Sequence, residues 1–294
     1  MISKKVGFVG LGTLGKPMAK NLVGRGFELT VIRHIRPEPV EELKTLGAKV
    51  AASPKELAQS SDFIITMVRT TAQTEEVIFG KDGLWDGMRA GTTLIIMSTI
   101  APKFVQEAWR KANEKGVAVL EAPVSAVGGV SAAEKGTLTI MVGGDAKVFE
   151  ECRFLFEAMG KSIFHIGDVG SAMVAKLANN TMLALNMFGV LHVLRLGVRA
   201  GVSPERLLEA IRVSTGKSWV VENWGRYEGY VRDYRENPRG SVLATTVDKD
   251  VGLALELAKE VGVRLPMVAL ISHLDIGEIW ACFCEDKARL FKDS

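Results

Sequence analysis

The stretch from Lys5 to Ile32 constrains the fold most. Lys5–Val9 (KVGFV) reads as a buried strand and runs directly into Gly10-Leu11-Gly12-Thr13-Leu14-Gly15. A helical pattern follows from Lys16 to Arg25 and stops at Gly26, and Glu28–Ile32 reads as a second strand. A strand, a glycine-rich turn, a helix and a strand within about thirty residues are the context in which a GxGxxG run holds a dinucleotide. Gly10 permits the tight turn, Gly12 lets a pyrophosphate approach the backbone, and Gly15 lets the helix pack on the strand. The start of the helix supplies N–H groups and a positive dipole end to the phosphates. A glycine-rich turn without a ligand is the bland alternative.

The alternation continues. Ser53-Pro54-Lys55-Glu56 is a capping box with proline at the first helical position. Strands are expected at 62–68, 92–97, 117–122, 137–142 and 162–166, and helices at 71–79, 102–115 and 146–158. Alternating strands and helices imply a mostly parallel, doubly wound sheet, an α/β Rossmann-type fold with its ligand at the carboxyl ends of the strands. Met67-Val68-Arg69, Ser98-Thr99 and Pro123–Gly129 fall at such ends and are expected to line one crevice. At the end of the second strand, where NAD-specific sites place an acid, stands Arg33, followed by His34 and, nearby, Arg36. A guanidinium binds a 2′-phosphate that a carboxylate would repel, so NADP(H) is favoured over NAD(H). A solvated surface arginine is the alternative.

From Gly167 onward the strand pattern ceases. Long apolar periodicity from Ser171 to about Ala200, a Ser203-Pro204-Glu205 cap, and runs at 243–262 and 266–285 predict an all-α domain. The expected division is a dinucleotide-binding domain over 1–166 and a helical domain for catalysis and oligomerisation over 167–294. Two domains suit a chain of 294 residues. In Gly167–Asn180 (GDVGSAMVAKLANN), Lys176 and Asn180 are four apart and share a helix face. A lysine among small and apolar neighbours near a helix start is poorly solvated. Its pKa is expected to fall, which suits it to proton transfer. Alone, it also reads as a snorkelling side chain.

A net charge of +3, from 37 basic and 34 acidic residues, argues against nucleic acid or an anionic membrane as partner. Three cysteines and four scattered histidines offer neither a disulfide framework nor a metal set. No signal-peptide pattern is read at residues 1–5, and asparagines and a histidine within 177–194 favour a core helix over a membrane span. A reduced, cytoplasmic location is expected.

With these residues in view, the sequence resembles the β-hydroxyacid dehydrogenase family, which includes 3-hydroxyisobutyrate dehydrogenases, tartronate semialdehyde reductases and glyoxylate/succinic semialdehyde reductases. Four stretches match in order: Phe8–Leu22, Glu121–Ser125 continuing to Gly136-Thr137-Leu138, Gly167–Asn180 and Lys249–Leu255. The resemblance implies that Lys176 is the catalytic lysine and that Asn180 holds substrate and lysine. It implies that Ser125, with Gly128 and Gly129, binds the substrate carboxylate, and that Thr99 and Lys249 contact the cofactor. It implies a small anionic aldehyde or hydroxy acid as substrate and a homodimer or homotetramer. The sequence departs from the family pattern at four places. Ala126 and Val127 separate Ser125 from the glycine pair, Val68-Arg69 replaces Leu-Pro, Ala172 stands for a glycine, and Val242 for an aromatic residue. An imine reductase-like enzyme and a non-catalytic NADP(H)-binding protein are the other readings.

Overall fold

The computed structural model describes residues 4–33, 36–237, 241, 243 and 247–291. Two compact units divide it, Met1–Lys176 and Leu177–Ser294. The division falls inside a helix, ten residues beyond the 166/167 boundary expected from the change of pattern.

Among its described residues the first unit has nine strands: β1 (Lys5–Val9), β2 (Glu28–Ile32), β3 (Lys49–Ala51), β4 (Phe63–Thr66), β5 (Thr93–Ile96), β6 (Ala118–Glu121), β7 (Val124–Ser125), β8 (Leu138–Gly143) and β9 (Gly160–Gly167). Their order is β3-β2-β1-β4-β5-β6-β8-β7, with β9 on β8. From β3 to β6 every pairing is parallel. Only the far edge departs, where β8 runs antiparallel to β6 and β7 and parallel to β9. The chain winds one way from β1 to β3 and the other way from β4 to β6, so the order reverses between β1 and β4. In open sheets of this kind that switch point forms the ligand crevice.

The central strands are mostly apolar because both faces are covered. Successive residues then serve opposite cores. Val6, Phe8, Ile65, Ile95 and Leu120 pack on one face, and Val9, Ile64, Leu94, Ile96 and Val119 on the other. The covering helices are α1 (Gly15–Gly24), α2 (Glu38–Thr45), α3 (Pro54–Gln59), α4 (Thr71–Phe79), α5 (Leu84–Gly87), α6 (Pro102–Glu114), α7 (Val130–Glu134) and α8 (Ala146–Met159). The box expected at residue 53 starts α3. Ser53 Oγ accepts from Glu56 N at 3.2 Å, and the Glu56 carboxylate accepts from Ala52 N at 2.8 Å.

Helix α9 (Ser171–Arg199) begins in the first unit and supplies the spine of the second. Around it stand α10 (Pro204–Arg212), α11 (Trp219–Glu222), α12 (Trp224–Glu236), α13 (Lys249–Glu260), α14 (Pro266–Ile271) and α15 (Ile276–Leu290). Leu191, Leu194 and Val198 of α9 pack with Trp224, Tyr227, Trp280 and Phe283. The Tyr227 hydroxyl is satisfied by donating to the Met187 carbonyl at 3.2 Å. The run 266–285, expected as one helix, is broken after Ile271. Asp275 accepts from the N–H groups of Gly277 and Glu278 at 2.7 and 3.1 Å and starts a new helix there.

Candidate active site

In the first unit the strand ends gather most of the expected residues. Gly10 leaves β1 at a φ of 103°, and a Cβ on it would strike the Met67 carbonyl at the end of β4. A Cβ on Gly15 would strike the Gly10 carbonyl. These two glycines are required by close backbone approach. Gly12 differs: among the described residues nothing lies within 4 Å of where its Cβ would stand. Gly12 and Thr13 are exposed at the start of α1 while Gly15 is buried. An open backbone cradle at a helix N-terminus fits a dinucleotide pyrophosphate. The neighbouring strand ends are fastened together, since Val68 N donates to Ser98 Oγ at 2.9 Å, next to Thr99. Leu11 and Leu14 pack against the core beneath the loop.

Arg33 stands exposed just past β2, and its guanidinium is paired with Glu41 of α2 at 2.7 Å. Arg36 is exposed as well. His34, expected beside them, lies outside the described residues, as does Val242.

Ser125 closes β7, and the longer loop after it folds as a tight turn. Gly129 N donates to the Ala126 carbonyl at 2.7 Å, and Gly129 itself adopts a φ of 64° ahead of α7. The extra Ala126-Val127 pair therefore spends the Gly129 N–H inside the loop.

Lys176 is buried in the second turn of α9, with 6% of its surface exposed. The start of that helix is held by a residue to which the sequence reading assigned no role. Glu121, the last residue of β6, is fully buried, and its Oε1 accepts from Gly170 N and Ala172 N at 2.7 and 2.8 Å. Burial pushes this carboxyl up to about 7, against the opposing pull of the Ala172, Gly170 and Met173 N–H groups. Its pKa in the fold is raised, so it contributes stability that is full below the ordinary carboxylate range and lost as pH rises through about 7. The available signal was an ionisable residue closing an otherwise apolar strand.

The second unit holds a separate polar cluster. Asn180 and Asp250 are both buried. Asn180 Nδ2 donates to Asp250 Oδ2 at 2.5 Å, and Lys249 Nζ to Asp250 Oδ1 at 2.5 Å. Asn180 Oδ1 accepts from Asn179 Nδ2 at 2.9 Å. One carboxylate thus fixes both Asn180 and Lys249. Asp250 was part of the matching stretch but carried no expected role; the sign that could have found it is an acid in a buried helical position.

The chain is similar to known proteins along most of its length. Residues 5–167 match the model of the NAD-binding domain of 6-phosphogluconate dehydrogenase. Residues 170–275 match that described as NAD-binding of NADP-dependent 3-hydroxyisobutyrate dehydrogenase. The chain is 39% identical to an NAD-dependent L-serine dehydrogenase of Pseudomonas aeruginosa, over 92% of this chain and 91% of that one. It is 36% identical to a 2-(hydroxymethyl)glutarate dehydrogenase of Eubacterium barkeri, over 92% and 88%. The structure of a Mycobacterium tuberculosis 3-hydroxyisobutyrate dehydrogenase with L-serine superposes with a TM-score of 0.77 at 28% identity, covering 97% of this chain and 95% of that one. With its glycine cradle at the switch point, its buried lysine and these relatives along most of its length, the chain belongs to the β-hydroxyacid dehydrogenase family of nicotinamide-dependent oxidoreductases.

Proposed function

We propose that the chain interconverts small 3-hydroxy acids and their semialdehydes with NADP(H) as preferred cofactor and Lys176 as general acid–base. The observation that carries this reading is the burial of Lys176 in the second turn of α9, one turn ahead of the buried Asn180. The substrate class follows from chemistry shared by the relatives' named substrates. L-Serine, 3-hydroxyisobutyrate and 2-(hydroxymethyl)glutarate all carry a primary hydroxyl on the carbon next to the one that bears a carboxylate. The nicotinamide, when bound, supplies or takes up the hydride. In oxidation Lys176 Nζ accepts the hydroxyl proton, and in reduction it returns a proton to the carbonyl oxygen. It also stabilises negative charge developing on that oxygen. Asn180, oriented by Asp250, supports substrate and lysine, and Lys249 supports the cofactor. The Ser125 hydroxyl and the Gly128 N–H meet the carboxylate, which aims the reacting carbon. The proposed functional division is 1–166 for cofactor binding and 167–294 for catalysis and assembly.

The cofactor preference is supported by Arg33. Its pair with Glu41 is exposed on both sides, and such pairs contribute about 0–1 kcal/mol. A charge-assisted bond to phosphate contributes about 1.5–3 kcal/mol, so a 2′-phosphate displaces the carboxylate. Arg33→Ala is expected to weaken NADPH binding about tenfold while changing NADH binding little. Fluorescence titration with both cofactors checks this, and equal losses for the two would refute the preference.

We also propose a homo-oligomer in a cytoplasmic setting. Its support is an apolar stripe on α9: Met182, Val193 and Leu196 are 59%, 51% and 70% exposed, at helical spacing along one side. Leu196→Glu is expected to shift sedimentation from a dimer or larger species to the monomer. A monomeric unaltered chain would contradict the proposal.

A further inference from the structure

We propose that Glu121 is a positioning residue for Lys176: its carboxyl clamps the first turn of α9 onto the end of β6 and thereby sets where the lysine stands. The inference rests on the reading of Lys176 as the acid–base group.

Three features build the clamp. Glu121 Oε1 takes two of the N–H groups that a helix start leaves without partners, those of Gly170 and Ala172. Gly170 presents its N–H from a φ of 102°, a conformation that favours glycine. On the neighbouring strand, Gly143 pairs with Glu121, and a Cβ at Gly143 would strike Glu121 Oε1. A bare backbone at 143 thus makes the space that the carboxyl occupies. Lys176 follows within two turns on the same helix, so tilt or fraying of the first turn moves its ammonium directly. Displacements of about 1 Å at a reacting group cost on the order of a hundredfold in rate.

The clamp is also proton-sensitive. Its strand partners, Ile96 on β5 and Gly143 on β8, and the residues whose N–H groups it meets, Gly170, Ala172 and Met173, have no ionisable side chain. Along the α9 segment the flanking ionisable side chains are Asp168 and Lys176. Burial and the backbone N–H groups govern the carboxyl's titration near pH 7. Among the described residues Glu121 Oε2 meets no hydrogen-bond partner, so neither charge state satisfies it fully. A mere helix cap would be served as well by an exposed serine or aspartate. A fully buried glutamate makes the cap depend on pH.

The test uses full-length Glu121→Gln and Glu121→Ala. Three quantities are measured: kcat against pH with NADPH and the best substrate, cofactor affinity, and hydrogen exchange of the peptide spanning 168–176. The unaltered enzyme is expected to show an inflection in kcat near pH 7. The Gln variant keeps a neutral acceptor for the two N–H groups. It is expected to retain kcat within about threefold and to lose the inflection. The Ala variant is expected to lose kcat at least about tenfold, to exchange faster over 168–176, and to bind cofactor as before. An inflection near pH 7 that persists in the Gln variant in both kcat and the exchange of 168–176, corrected for the intrinsic pH dependence of exchange, would overturn the proposal, as would full kcat in the Ala variant. Should the Ala variant fail to fold, the Gln profile decides alone. If the unaltered chain turns over no substrate while faster exchange in the Ala variant stands, the lysine reading falls and the clamp is upheld.

Discussion

Lys176→Ala is expected to lower kcat by a factor on the order of a thousand, the usual range for removing a positioned acid–base group, while NADPH affinity stays within about threefold. Lys176→Arg should be nearly as inactive. It keeps a positive charge in the second turn of α9 but cannot release a proton near neutral pH. The contrast matters because a lysine that only attracted an anionic substrate would tolerate arginine, with KM rather than kcat affected. Steady-state kinetics of both variants separate the two roles.

Removing Asp250 is expected to have the second largest effect. This buried carboxylate holds the Asn180 amide and the Lys249 ammonium at once. Asp250→Ala removes this acceptor from both donors. A hydrogen bond to a charged group contributes about 1.5–3 kcal/mol. Since the Lys249 side chain keeps 22% of its surface exposed and water recovers part of its loss, a stability decrease of about 2 kcal/mol is expected. Turnover should fall further than stability suggests, on the order of a hundredfold in kcat/KM, because Asn180 loses its fixed orientation. Asp250→Asn keeps the shape but directs an amide N–H at one of the two donors, and should recover only part of the activity. Urea unfolding and kcat/KM, measured side by side, check both. Unaltered kcat/KM in the Ala variant would show that Asp250 serves the fold alone.

The α/β unit was largely legible because its signals are local. Apolar runs such as KVGFV, FIIT and TLII mark the strands, and the Gly10–Gly15 turn directly follows the first of them. Short elements escaped. β3 is three residues and β7 two, too brief for a periodicity, and α2 lies among prolines at 37 and 39. Helix α12 escaped for another reason. Its buried residues Trp224, Tyr227 and Val231 are spaced as a helix requires, but the residues between them are mostly charged or polar. Asp275 showed a helix start within a run read as continuous, and apolar periodicity on both sides hid it. At the site, Lys176, Asn180 and the glycine loop could be found from sequence spacing. Glu121 and Asp250 could not, because their partners lie far along the chain: Gly170 and Ala172 for one, Asn180 for the other. A buried carboxylate acquires meaning only from the donors that the fold brings to it.

The most direct test of the account is a steady-state assay of the full chain with NADP(H) and NAD(H). The panel comprises L-serine, 3-hydroxyisobutyrate and 2-(hydroxymethyl)glutarate in the oxidative direction. Methylmalonate, tartronate and succinic semialdehydes and glyoxylate serve in the reductive one. The account predicts turnover with at least one 3-hydroxy acid or its semialdehyde, a higher kcat/KM with the phosphorylated cofactor, and loss of that turnover in Lys176→Ala. Turnover that survives in Lys176→Ala would contradict it, and so would tight cofactor binding with no hydride transfer to any of these compounds.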